Sequence, residues 1–289
     1  MFIIKQSKDL FRYLQKQRAA KKTIGFVPTM GALHQGHLSL VKKAGEESGV
    51  VVCSIFVNPT QFNDPKDFEL YPKTLENDIY LLEKEACDVL FLPDTGEIYP
   101  SGITQTQVYE LGYLESVLEG KYRPGHFQGV CQVVHRLIEI VRPNQLYIGQ
   151  KDYQQCMVIR KLLTLIHSPA KIIICPTLRE PNGLAMSSRN MRLSADEKQK
   201  AGGIFEALSY INKHMKAGPV KEMIEGAGNL LIQKELVADY VVIAKAEDLQ
   251  IIDVWDGQTK IIALIAAFMG EVRLIDNMLL PLNFASYGN

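Results

Sequence analysis

Apolar residues along this chain follow two periods, and the order in which the periods alternate predicts most of the architecture. Ser7 to Arg18 places Leu10, Phe11 and Leu14 on one side and reads as an amphipathic helix. Thr23 to Val27 is a short β-prone segment, after which Leu38, Val41 and Ala44 recur at helical spacing. Val50 to Val57 is apolar nearly throughout, as suits a parallel strand buried on both faces. Thr74 to Ala86 returns to the helical period through Leu75, Ile79 and Leu82, and Asp88 to Leu92 is again strand-like. Strand and helix alternating in this way predict βαβ units with right-handed crossovers, hence an α/β fold on a parallel sheet.

Between Pro93 and Gly129 the regularity weakens and turn residues punctuate TGEIYPSG and KYRPGHFQG. A stretch of this kind inside a compact domain often carries functional loops. Val130 to Val141 restores a helix with a broad apolar stripe, in which His135 holds a polar position and is read as structural or exposed. Leu146 to Ile148 is a strand, GQKD leads into a helix running to about His167 with Asp152 as a candidate N-cap, and Lys171 to Cys175 is the next strand. Pro181-Asn182-Gly183 signals a turn near the end of the large domain, taken as residues 1–180.

The remainder, residues 181–289, changes character. Ser194 with Glu197 forms a capping box that starts a helix to about Met215, Ala217-Gly218-Pro219 breaks it, and a second helix runs to about Leu236. Strands at Asp239–Ala244, Lys260–Phe268 and Val272–Asp276 follow, joined by turns such as Asp256-Gly257. Neighbouring helices followed by neighbouring strands predict a smaller α+β domain.

With 289 residues and 47% apolar content, the chain can fill a sizeable core. Its 32 basic and 32 acidic residues cancel, which counts against nucleic acid as the main partner. The longest apolar run, Ile261 to Met269, is too short to span a bilayer, and MFIIKQSKDLF meets Lys5 and Lys8 before a signal-length apolar region develops. Cys53, Cys87, Cys131, Cys156 and Cys175 are odd in number, widely spaced and without a CxxC pair, so they read as reduced core thiols. The expectation is a soluble cytoplasmic protein with neither a membrane nor a nucleic-acid partner.

The candidate chemistry begins at GFVPTMGALHQGH, Gly25 to His37, which joins a strand to a helix start. His34 and His37 lie three apart, so on a first helical turn both rings project from about one face. Free N–H groups and the positive end of the helix dipole attract phosphate there. Gly31 and Gly36, lacking Cβ, let a base or a phosphate approach the backbone. GQKD leaves a second strand through a glycine, and Met186 to Arg189 follows a third. In an open parallel sheet, ligands bind at the edge where the strands end.

PTMGALHQGHLSL, SIFVNPTQF, YRPGHFQGV, GQKDYQQ and GLAMSSRN, in this order and spacing, resemble the pantothenate synthetase family, the pantoate–β-alanine ligases. The His-x-x-His pair resembles the HIGH signature of the nucleotidyltransferase superfamily, and GLAMSSRN stands where its synthetases carry the KMSKS loop. The resemblance covers nearly the whole chain. It implies a Rossmann-like domain with a smaller C-terminal domain acting as a lid, a homodimer, and condensation of pantoate with β-alanine through a pantoyl adenylate, releasing AMP and pyrophosphate. ATP is a substrate and Mg2+ accompanies it.

Residue by residue, the resemblance implies that His37 donates a proton or stabilises charge at the phosphate, with His34 beside it, and that Lys151 holds the α- and β-phosphates. Further ATP contacts are implied for Met30, Gly31, Ala32, Leu33, Gln35 and Gly36 in the first turn, for Gly149, Gln150 and Asp152 around the lysine, and for Leu178, Met186, Ser187, Ser188 and Arg189. Gln61 and Gln155 are matched to pantoate, whose carboxylate and hydroxyls suit amides that both donate and accept, with Gln61 also near β-alanine. Arg123 and His126, in YRPGHF, are implied to reach substrate or phosphate, and Met30 to form a soft apolar wall. Asp78 matches an acidic position near magnesium. Asn77 stands where some members carry a second acid, and Gln150 where many carry Glu.

The Ser187-Ser188 pair lacks the strand-turn context of Gly-x-Ser-x-Gly, so these serines read as hydrogen-bond donors and not as nucleophiles. Two rival readings stand beside the ligase: a nucleotidyltransferase of the same superfamily that keeps the nucleotide in its product, and a nucleotide-binding module without turnover.

Overall fold

The computed structural model describes residues 1–62, 68–103 and 107–281. The chain divides into two compact units, Met1–Gln150 with Gln154–Pro176, and Lys151–Tyr153 with Thr177–Asn289.

In the first unit the strands β1 (Phe2–Ile4), β2 (Ile24–Thr29), β3 (Val50–Ile55), β4 (Val89–Phe91), β5 (Gln145–Gly149) and β6 (Lys171–Cys175) form one parallel sheet in the order β1-β4-β3-β2-β5-β6. From β2 the chain steps outward to β3 and β4, then returns to place β5 and β6 on the other side. The winding direction therefore reverses between β2 and β5, which pair at Gly25↔Gln145 and Phe26↔Leu146. At such a reversal the connections leave a crevice beyond the carboxyl ends of the strands. Two of the predicted segments, Met30 to His37 and Gly149-Gln150, begin at those ends.

Helices Gln35–Glu47 and Leu75–Lys84 bury Leu38, Val41, Ala44 and Leu82 in a cluster with Val27, Val51, Cys53, Leu90 and Tyr147. The helix His126–Val141 packs with helix Ser7–Ala19. The first helix turns Leu10 and Leu14 inward as expected, but Phe11 is exposed, with the Arg142 guanidinium 5.6 Å from its ring centre. Leu75 is likewise exposed, and the inward face of its helix includes Asp78. Residues 93–129, apart from 104–106, contain the short helices Thr95–Ile98, Tyr113–Ser116 and Glu119–Tyr122. His135 within the apolar stripe accepts from or donates to the Tyr109 hydroxyl through Nδ1 at 2.9 Å.

In the second unit, β8 (Val237–Lys245), β10 (Ile261–Met269) and β11 (Val272–Leu280) form an antiparallel sheet in the order β11-β10-β8. β7 (Gly218–Pro219) and β9 (Val254–Trp255) form a separate two-stranded antiparallel sheet. Helices Gly203–His214 and Lys221–Gln233 pack on each other, and Ile204, Leu208, Ile211, Leu231, Ile243 and Ile265 fill the core. The capping box at Ser194 and Glu197 is formed. The helix it starts ends at Ala201 and a second begins at Gly203; Gly202 between them lies against the Asn182 carbonyl oxygen, 2.6 Å from where a Cβ would stand. Among the described residues, no helix is long and apolar enough to cross a membrane.

Candidate active site

The turn after β2 is held by hydrogen bonds that begin in the strand. Thr29 Oγ1 donates to the Ser54 carbonyl oxygen at 2.7 Å and accepts from the Gly31 amide at 3.2 Å. Gly31 and Ala32 then adopt positive φ angles of 80° and 49°. A Cβ at Gly31 would be strained by the positive φ and crowded at 3.0 Å from Asp78 Oδ2 and 3.1 Å from Ile55 Cγ2. Beyond it, the Ala32 and Leu33 amides donate to the two carboxylate oxygens of Asp78 at 2.9 and 2.8 Å, and Thr74 Oγ1 donates to the same group at 3.0 Å.

Asp78, expected near magnesium, holds this turn together. It is 1% exposed, and its oxygens are engaged by two backbone amides and a hydroxyl. Backbone N–H groups aimed at a carboxylate make a charge-assisted clamp, and this one shapes the turn. Among the described residues no group of three or more His, Cys, Asp or Glu is arranged to hold a metal ion.

The clamp leaves the next residues at the helix entrance. His34 is the N-cap of helix Gln35–Glu47, outside its first turn, with extended backbone, and its Nδ1 accepts from the Gly36 amide at 3.1 Å. That acceptor role puts the ring proton of neutral His34 on Nε2, a tautomer assigned from the hydrogen bond. His37 lies in the first turn, its ring centre 4.0 Å from that of His34 and tilted by 32°. The two imidazoles thus stand side by side at the positive end of the helix, although one caps it and one belongs to it.

A second polar cluster surrounds Gln61. Asn58, fully buried, donates through Nδ2 to Gln61 Oε1 and to the Gly129 carbonyl oxygen, both at 3.2 Å, while its Oδ1 accepts from Tyr99 OH at 2.7 Å and Thr60 Oγ1 at 3.1 Å. Burial pushes the Tyr99 hydroxyl above its ordinary pKa, so it remains a donor. The amide nitrogen of Gln61 points at Met30 Sδ, 3.1 Å away. The Gln61 carbonyl oxygen lies 2.8 Å from His126 Nδ1 and 3.4 Å from Arg123, whose guanidinium is itself 3.3 Å from His126 Nε2. Met30, Gln61, Arg123 and His126 are therefore brought together. His126 opens its helix four residues before the apolar stripe at Val130, because Gly125 in the left-handed region turns the chain into the helix there.

Asn58 was legible only as a flank of Gln61, and a further hub was missed altogether. Gln154, 3% exposed, donates to the carbonyl oxygens of Leu114 at 2.8 Å and Val117 at 2.9 Å and accepts from the Glu119 amide at 3.0 Å. It ties down the loop that leads to Arg123. Its neighbour Gln155, the predicted pantoate contact, is half-buried on the same helix, Tyr153–Leu165. The sequence places two adjacent glutamines there, with no periodic signal to say which is committed to the fold.

The second unit carries the other candidates. Gln150, Lys151 and Asp152 form a 3-10 turn after β5, the first of them still in the first unit, and the Lys151 ammonium lies 3.6 Å from Asp152. Leu178 to Met186 is a small hairpin, bridged at Arg179↔Ala185 and closed by the Met186 amide donating to Leu178 at 3.0 Å. Ser187 follows as the N-cap of a 3-10 turn, Ser188–Arg192, its hydroxyl accepting from the Arg189 amide at 3.3 Å. Ser188 is buried, and Asn190 donates to the Ala185 carbonyl at 3.0 Å. None of this resembles a nucleophile beside a base. The five cysteines offer none either, since all are free and buried.

Against known proteins, the family model described as pantoate-beta-alanine ligase matches residues 2–279. The pantothenate synthetase of Cytophaga hutchinsonii is 46% identical over 285 residues, covering 98% of this chain and all of that one, and that of Thermotoga petrophila is 45% identical with coverage of 97% and 100%. Among solved structures, pantothenate synthetase from Thermus thermophilus superposes with a TM-score of 0.88 at 39% identity, covering 96% of this chain and 99% of that one. The pantoate-beta-alanine ligase of Francisella tularensis, complexed with beta-gamma ATP and beta-alanine, superposes at 0.80 and 39% identity, covering 96% and 97%. The turn with its paired histidines, the Asn58–Gln61 cluster and the Ser187–Arg189 loop are thus parts of a chain that belongs to the pantoate–β-alanine ligase family.

Proposed function

We propose that this chain is an enzyme that joins pantoate to β-alanine at the expense of ATP, in two steps. The pantoate carboxylate attacks the α-phosphorus and expels pyrophosphate, forming a pantoyl adenylate. The β-alanine amine then attacks the acyl carbon, loses a proton and displaces AMP. Neither step requires a protein nucleophile; both require positioning and neutralisation of developing charge. The observation that carries the reading is the His34–His37 pair at the helix entrance, in a chain matched to the ligase family over residues 2–279.

Within this reading the His34 Nε2–H, His37, Lys151, Ser187, Ser188 and Arg189 serve the phosphates. Gln61 and Gln155 take pantoate, with Met30 as an apolar wall. Arg123 and His126 reach the Gln61 carbonyl oxygen, so their part is to hold Gln61 in place. Magnesium would be carried by the nucleotide phosphates, the usual arrangement for this ion. The C-terminal unit acts as a lid that keeps water from the adenylate, and the chain works as a cytoplasmic homodimer. These last assignments come from the family resemblance, and light scattering of the purified protein tests the dimer.

Purified protein with ATP and Mg2+ should release AMP and pyrophosphate only when pantoate and β-alanine are both supplied for turnover. No AMP under that condition would sink the reading. Substituting His37→Ala or Lys151→Ala should each slow turnover by about 100-fold or more, the scale on which a transition-state donor acts. Near-normal rates would remove their roles.

A further inference from the structure

β11 interrupts its own pattern. Val272, Leu274, Met278 and Leu280 alternate toward the core of the second unit, yet the position between Leu274 and Met278 on that face is Asp276. Asn277, next along, belongs to the opposite face. Both are interior, at 4% and 2% exposure. Burying such groups in place of leucine or methionine is costly and calls for partners that use them.

Those partners are the two segments assigned to the phosphates. On one face, Asn277 Nδ2 donates to the Lys151 carbonyl oxygen at 2.8 Å. Tyr153 fastens the same short segment again through its hydroxyl, 2.8 Å from the Ala246 carbonyl oxygen. On the other face, Asp276 receives both terminal nitrogens of Arg179, one of them at 3.2 Å, and its Oδ1 also accepts from the Asn277 amide at 2.8 Å. Arg179 stands at the base of the Leu178–Met186 hairpin. Its guanidinium also donates to the Gly183 carbonyl at 3.1 Å and lies 4.4 Å from the centre of the Phe205 ring. That hairpin delivers the chain to Ser187, Ser188 and Arg189. Burial pushes the Asp276 carboxyl up, and the Arg179 charge opposes the push.

We propose that Asp276 and Asn277 are positioning residues for the nucleotide: Asn277 sets the origin of the Lys151 side chain, and Asp276, through Arg179, sets the Ser187–Arg189 loop. One strand would then fix both phosphate-directed segments in a common frame, so that cations and hydroxyls keep their mutual spacing. The inference rests on the phosphate roles proposed above for Lys151 and the Ser187–Arg189 loop.

The test is a double-mutant cycle on the full chain, read as kcat/KM for ATP. Asn277→Leu should lower it by about 10- to 100-fold with the KM for β-alanine nearly unchanged, whereas in a Lys151→Ala background the same change should cost less than about threefold. Asn277→Asp, which keeps the volume and loses the donor, serves as a second variant should the leucine form fail to fold. Asp276→Asn should behave alike against Arg189→Ala. Equal losses in both backgrounds, or wild-type kinetics for Asn277→Asp, would overturn the positioning role while leaving Lys151 in place. Near-normal kinetics for Lys151→Ala alone would overturn the phosphate assignment beneath it, and this inference with it.

Discussion

Asp78 shows how much of a turn one buried carboxylate can hold. The expectation placed it near magnesium; the structure turns its carboxylate onto the Ala32 and Leu33 amides and the Thr74 hydroxyl. A carboxylate bonded to the Ala32 amide helps hold that residue at positive φ, which costs a side-chain-bearing residue conformational energy. Its replacement by alanine leaves two buried amides without acceptors, so Asp78→Ala should destabilise the protein by about 3 kcal/mol. Urea unfolding without nucleotide or metal measures this. An unchanged midpoint, with only the Mg2+ dependence of turnover altered, would return Asp78 to the metal. Gln154 and Gln155 make the same point with one residue type: the first is spent on three backbone groups of a loop, and the second remains half-buried.

At the scale of elements, the helix His126–Val141 and the turn Pro59–Gln61 touch through a glycine. A Cβ at Gly129 would stand 2.2 Å from the Thr60 carbonyl oxygen and 2.9 Å from Gln61 Cα. Gly129→Ala must therefore push helix and turn apart, with an expected cost of about 2 kcal/mol and a raised KM for pantoate, seen in unfolding and steady-state kinetics. A raised KM for pantoate with an unaltered KM for ATP would locate the effect at Gln61. In the second unit, the turn after β9 is organised by Asp256, which accepts from the Thr259 hydroxyl at 2.6 Å and from the Gln258 and Thr259 amides at 2.8 Å. These bonds, the hydroxyl first, lower its pKa from 3.8 to about 2. A carboxyl lowered on folding adds stability that is present above its unfolded pKa and is lost as pH falls toward the folded one. Stability should thus decline between about pH 4 and pH 2 in part through this residue, and Asp256→Asn should flatten that limb in acid unfolding monitored by circular dichroism.

For the molecule as a whole, burial of all five cysteines sets its redox behaviour. Burial raises the Cys87 and Cys175 thiols to about 11 and Cys131 to about 12, and holds Cys53 well above its usual value. Thiolate, the reactive form, is scarce at neutral pH in such surroundings. Native protein at pH 8 should therefore resist iodoacetamide, and denatured protein should gain five carbamidomethyl groups by mass spectrometry. Rapid labelling of the folded protein would contradict the burial. Sheet topology acts at this scale too. The reversal of winding between β2 and β5, where open parallel sheets bind ligands at the strand ends, is a property of no single element.

What the amino-acid sequence determined by itself is whatever depends on neighbours along the chain. The strand–turn–helix at Gly25–His37, the alternating α/β pattern, the smaller α+β region and the Ser194–Glu197 capping box all rest on spacings of a few residues, and the structure contains each of them. The three-residue β1 and two-residue β9 escaped because so few residues cannot display a repeating pattern. Only the tertiary structure decided the polar contacts: Leu33 with Asp78 is 45 residues apart, Asn58 with Gly129 is 71, and Lys151 with Asn277 is 126. Hydrophobic burial is additive and leaves a periodic trace in each element. A buried hydrogen bond needs one donor and one acceptor aligned in space, and the chain between them leaves no local mark of the meeting.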